Sequence, residues 1–175
     1  MNLKKYLPFE NYVITSKLSI EEIKTRLADN IEPKKSLRLS IFNSRSSKPY
    51  EGQILGDTFT ISRIINYRNS FLPVITGHIS TFLGKTQINV KMRPVTIVLV
   101  FISLWLGIVG LVCLGIIFVG LIQFKKVLQN GFSPMILIPF AMLLFGCLLT
   151  TLAFKAESRK SKKFLARIFE EQENL

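Results

Sequence analysis

Arginine, tyrosine, asparagine and histidine, side chains able to grip anions or move protons, crowd one stretch of this sequence: NYRNSFLPVITGHI, residues 66–79, with Arg63 just before it. Three chemistries fit such a set. In the first, Arg63, Tyr67, Arg68 and Asn69 form a small anion site for a lipid headgroup, and Phe71 and Leu72 dip into the membrane interface. In the second, Arg63 or Arg68 makes an internal ion pair or cups a backbone carbonyl, and Phe71 and Leu72 cap a core. Arg63 interrupts the apolar positions Phe59, Ile61 and Ile65, and a cation entering an apolar face needs a partner or a route to solvent.

The third chemistry, proton transfer by His78, has the least support. A general base needs a positioned partner. His78 is the only histidine, so it has no second imidazole for a metal pair, and no nucleophile elbow accompanies it. It reads as a solvated or hydrogen-bonded strand residue. No catalytic, cofactor-binding or metal-binding residue is assigned.

The elements that would position these groups are strands. NYVITSK (11–17) is a first strand. SIEEIKTRLADN places Ile20, Ile23 and Leu27 at helical spacing, with Ser19 and Glu22 as a capping box and Pro33 closing the helix. SLRLSIF (36–42) and TQINVKM (86–92) alternate with period two, as half-buried strands do. YEGQILG and FTISRII flank a turn at Gly56-Asp57, LPVITGHIS follows, and Gly84-Lys85 makes a further turn. Pro73 cannot donate to a ladder, so 66–73 is a loop or bulge. The sum is an antiparallel β-sheet of five or six strands with one N-terminal helix packed on one face.

Beyond residue 93 the composition changes. Residues 94–124 and 131–154 form runs of 31 and 24 residues with no formal charge, each longer than the roughly 20 needed to cross a bilayer as a helix. Fourteen Leu, Ile, Val or Phe residues between Val95 and Gly115 favour insertion by about 4 to 8 kcal/mol at about 0.3 to 0.6 kcal/mol each. A helix apolar all round is ill suited to a soluble surface. The short linker, with Asn130-Gly131 as a turn, makes the two runs an antiparallel transmembrane hairpin.

Basic residues orient it. Lys85, Lys91 and Arg93 precede the hairpin and Lys155, Arg159, Lys160, Lys162, Lys163 and Arg167 follow it, against Lys125 and Lys126 in the loop. Nine against two puts both termini in the cytoplasm. The N-terminus lacks the apolar core of a signal peptide. The net charge is +12, of which residues 1–93 carry +8 from 15 basic and 7 acidic groups. Basic residues beside membrane helices attract anionic lipid at about 1 kcal/mol each, and no RNA-binding or zinc-finger signature points to nucleic acid. Arg93 is a further headgroup candidate, as are Lys155, Arg159, Lys160, Lys162 and Lys163. The strand-rich region meets the membrane helix almost without a linker, so it is expected to stand on the bilayer surface.

Phe164, Leu165, Ile168 and Phe169 form a helical stripe after the hairpin, expected to continue the second membrane helix and dock on the strand-rich domain or a partner. Cys113 and Cys147 fall inside the apolar runs as small packing residues, and no Asp, Glu, Lys, Arg or His lies within either run to mark an ion path.

FTISRIINYRNSFLPVITGHI, GKTQINVKMRP and the following run with Phe101, Trp105 and Gly107 resemble a group of small uncharacterised bacterial membrane proteins, over roughly residues 50–110. The resemblance implies a strand-rich N-terminal domain and a two-helix hairpin, and it implies no activity. Where that group continues Met-Arg-Leu-His, this chain has Met92-Arg93-Pro94-Val95.

The expected organisation is an α+β membrane protein: a cytoplasmic domain at 1–93, a transmembrane hairpin at 94–154, and a basic juxtamembrane helix and tail at 155–175. The expected role is a non-enzymatic adaptor, assembly factor or lipid-surface sensor in the cell membrane, with anionic lipid, a protein or a second copy as partner. A homo-oligomeric pore or transport subunit and an interfacial enzyme acting on lipids are the alternatives.

Overall fold

A computed structural model describes residues 7–33, 48–65, 67, 69–123 and 133–169. Its elements are strand β1 (Glu10–Ser16), helix α1 (Ile20–Asn30), strands β2 (Ile31–Pro33), β3 (Tyr50–Leu55), β4 (Thr58–Arg63), β5 (Val74–Phe82) and β6 (Lys85–Arg93), helix α2 (Thr96–Ile122), a 3-10 turn (Pro134–Leu137) and helix α3 (Ile138–Phe169). They form two compact units, one made of the residues up to Val95 together with those from Ala153 onward, the other of Thr96–Leu152.

The first unit is a six-stranded sheet in the order β1-β6-β5-β4-β3-β2. Alternation dictates its two faces. In β6, Thr86, Ile88, Val90 and Met92 are buried while Asn89, Lys91 and Arg93 are exposed, which is the expected period of two. Four neighbouring pairs are antiparallel, as expected. The fifth is not: β2 runs parallel to β3, pairing Ile31 with Tyr50, so the sheet is mixed rather than antiparallel. The reason is local. Helix α1 ends at Asn30, the last residue of the expected helical stretch, and the next three residues join the sheet edge at once. Pro33 sits in that edge strand, where its missing N–H is tolerated, and does not close the helix. The expected strand at 36–42, the hairpin loop at 125–131 and the tail beyond 169 lie outside the described residues.

The inner face, with Ile14, Phe59, Ile61, Ile75, Ile79 and Ile88, is covered by Ile23 and Leu27 of α1 and by Phe154, Leu165, Ile168 and Phe169 of α3. The capping box forms: Ser19 Oγ accepts from the Glu22 N–H at 3.2 Å and the Glu22 carboxylate accepts from the Ser19 N–H at 2.7 Å. Gly77 faces Phe59 across the β4–β5 pair, and any Cβ there would collide with the Phe59 ring, so the ring lies over bare backbone. Residues 155–169, expected as part of a juxtamembrane helix and tail, are the last part of α3, and the Phe164–Phe169 stripe packs on the sheet core.

The β5–β6 hairpin turns on Leu83 and Gly84, with φ of 49° and 73°. Two positive φ values in a two-residue loop are the signature of a type I′ turn, which suits the strand twist.

The second unit pairs α2 with the first part of α3, and both helices are long and apolar enough to cross a membrane. A Cβ on Gly146 would come within 2.5 Å of Trp105 Cζ3 and 3.1 Å of Leu106, so the two helices approach closely where Gly146 has no side chain. Thr150, one turn on, is buried and donates to the Gly146 carbonyl at 2.7 Å. A Cβ on Gly107, Gly110, Gly115 or Gly120 would meet nothing within 4 Å among the described residues, so none of them marks a close helix approach there.

Candidate functional site: two carboxylates paired with a basic helix

Helix α3 passes its inner face over the sheet, and each turn brings polar groups to it. Glu157 is 3% exposed. Its Oε2 accepts from Arg63 Nη1 at 2.7 Å, and its Oε1 accepts from the Tyr67 hydroxyl at 2.5 Å and from Lys160 Nζ at 2.9 Å. Arg63, which interrupts an apolar strand face, is therefore the β4 half of a part-buried ion pair with α3. Burial alone would raise the Glu157 pKa, but the bonds from Tyr67, Lys160 and Arg63 outweigh it and hold the carboxyl below its ordinary 4.5. The same carboxylate raises the pKa of Lys160.

A second carboxylate, Glu10 of β1, binds Lys155 at 3.6 Å and pairs more closely with Lys162, whose ammonium lies 4.8 Å from the centroid of the Tyr12 ring. Glu10 thus holds two cations of the basic run, and Glu157 holds one, Lys160, together with Arg63 of β4. Between them Tyr50 donates to Ser161 Oγ at 3.2 Å and stacks on Phe164 at 4.1 Å between centroids, and burial raises the pKa of its hydroxyl. At the end of α3 the carbonyls of Phe169 and Ile168 accept from Ser16 Oγ at 2.7 Å and Arg26 Nη1 at 3.2 Å, which satisfies groups a helix end leaves open.

The candidates from the sequence separate accordingly. Arg63, Tyr67 and Lys160 meet at Glu157, and Lys155 and Lys162 meet at Glu10. Arg159 and Lys163 are exposed on the outer face of α3, where Arg167 joins them at helical spacing. Lys160 belongs to both sets, since its side chain remains 54% exposed. Arg93 is exposed at the end of β6, opposite Val74. Asn69 is a turn former: its Oδ1 accepts from the Phe71 N–H at 3.0 Å. Phe71 packs on the core. Arg68 lies outside the described residues. His78 is exposed on the outer sheet face between Thr58 and Asn89.

The organising residues, Glu10 and Glu157, are the ones reasoning from sequence missed. One signal was available: Glu157 is the only acid between Lys155 and Arg167. Among the described residues no group of three or more His, Cys, Asp or Glu is placed to hold a metal ion. In comparison with known proteins, no family, no curated protein and no solved structure matches this chain.

Proposed function

We propose that the chain is a membrane-anchored, non-enzymatic protein in which α2 and the part of α3 up to Phe154 cross the cell membrane as a hairpin. Both termini are cytoplasmic, and the sheet unit serves as an adaptor and sensor at the anionic inner surface. The observation that carries this reading is the outer face of α3. Arg159, Lys160 and Lys163 are exposed there, while the inner face of the same helix is built into the sheet core. A basic face fixed in this way does not reorient independently of the domain.

Distance ranks the cations. At 1.5 Å per residue, Arg159 and Lys160 lie about 8 to 9 Å beyond Phe154 along the helix, near the screening length of about 8 Å at physiological salt. Lys163 and Arg167, at about 14 and 20 Å, contribute less. Two experiments test the reading. Cys147, exposed on α3, is expected to resist a water-soluble maleimide in intact membranes and to react after detergent is added. The full chain in nanodiscs is expected to enrich anionic over zwitterionic lipid around it, and R159E/K160E/K163E to abolish that enrichment. Labelling of Cys147 in intact membranes would sink the anchor, and unchanged enrichment in the triple variant would sink the lipid contact.

A further inference from the structure

The β5–β6 hairpin ends on a residue that its fold disfavours twice. Leu83 adopts a left-handed φ of 49°, a conformation comfortable for Gly, Asn or Asp and strained for a bulky side chain. It is also 86% exposed, and its neighbour Phe82 is 56% exposed. Asparagine would relieve the strain and replace the exposed apolar side chain with a polar one. The collar around this tip is cationic. Ser16 of β1 pairs with Thr86 of β6, and the residues just outside that pair are Lys17 and Lys85. Neither lysine forms an ion pair with an acid among the described residues.

We infer that the Phe82-Leu83 tip is a docking element for a protein partner that presents an apolar pocket with an acidic rim. The apolar pair supplies the anchor, and Lys17 and Lys85 supply the charge complement. Reach argues against the chain's own bilayer as the occupant. Ser16, beside the tip, bonds the carbonyl of Phe169, and that end of α3 lies about 22 Å along the helix from Phe154, where the apolar stretch ends. This step rests on α3 leaving the membrane at Phe154, which the Cys147 labelling reports separately, so the tip proposal can fail while the anchor stands.

The test places the photo-crosslinker p-benzoylphenylalanine at position 83 of the full chain in its own membranes, with the same probe at exposed Gln53 as the control. The expected result is one protein adduct absent from the control, whose crosslinked peptide carries Asp or Glu beside apolar residues. Its yield is expected to fall roughly tenfold in K17E/K85E and to return when the partner's acids are changed to Lys. A lipid adduct, an adduct to a second copy or to the chain's own residues 170–175, a yield insensitive to K17E/K85E, or no adduct above the control would each overturn the proposal. In the purified chain, Leu83→Asn is expected to leave the melting temperature equal or higher, and a lower one would overturn the claim that Leu83 is kept against the stability of the turn.

Discussion

Phe59 and Ile75 in the sheet unit are no more than 1% exposed, whereas Leu111 and Phe118 in the helical hairpin are 70% and 66% exposed. The same kinds of side chain thus have two different surroundings. In the sheet unit, removal from water does the work, at about 25 cal/mol per Å² of apolar surface. On its outer face the hairpin buries little of its apolar surface against the described residues. Its two helices meet through Gly146, Thr150 and Trp105, and its outer surface is exposed and apolar, as the membrane-spanning reading proposed above requires. Among the polar groups buried in the same core as Phe59 and Ile75, Glu157 and Tyr50 are paired. The described hairpin residues carry no ionisable side chain beyond two cysteines.

The contrast can be broken most sharply in the core. Phe59→Ala removes a ring packed over Gly77 and beside Phe169, and is expected to cost about 3 to 5 kcal/mol, while Leu111→Ala stays within about 0.5 kcal/mol. Denaturant titration of the purified chain in detergent separates the two, and equal losses would erase the distinction between the units. Next in size is a charge on the hairpin. Leu111→Asp is expected to cost about 3 kcal/mol of membrane insertion and to reduce membrane-integrated protein on carbonate extraction, whereas Gln53→Asp on the exposed sheet face leaves it unchanged.

The Glu157 pair sharpens the comparison from the polar side. Glu157→Ala leaves Arg63 and Lys160 facing each other without their anion and is expected to cost about 2 to 3 kcal/mol, less than a fully buried pair because Arg63 is partly solvated. The folded-state pKa of Glu157 lies below its ordinary 4.5, so its contribution is complete above that pH and disappears as pH falls through the lower folded value. The stability gap between the wild type and Glu157→Gln should therefore be constant from about pH 5 to 7 and narrow below about pH 4.5. A gap that instead widens in acid would reverse the assignment. The smallest effect is at α1: Ser19→Ala loses the cap and should lower stability by about 1 kcal/mol, with no change in membrane integration.

What could be read in advance was local. β6 announces itself by alternation, α1 by Ser19 and Glu22, and the hairpin by uncharged length. The parallel strand β2 could not be read, because three residues directly after a helix hold too little pattern to show a period. Arg63 was legible as a residue needing a partner, but the partner was not. Glu157 lies 94 residues away in a run of lysines and arginines that resembles a solvated face, and only the folded chain turns it inward. The same holds for the candidate lysines. Sequence groups Lys155, Lys160 and Lys162 with Arg159 and Lys163, while the fold assigns the first three to carboxylates and leaves the other two outside.

The bond from Ser16 to the carbonyl of Phe169 joins residues 153 apart. During synthesis, at about 5 to 20 residues per second, β1 through β6 emerge several seconds before the α3 segment that covers them. Until that segment arrives, Phe59, Ile61 and Ile75 line an open face. Both apolar helices are made in the interval. The chain order thus sets the order of synthesis: the hairpin is complete before the segment that covers the sheet's inner face. A ribosome stalled before Phe154 would present an unfinished sheet, a natural substrate for holding chaperones and a window in which quality control can act.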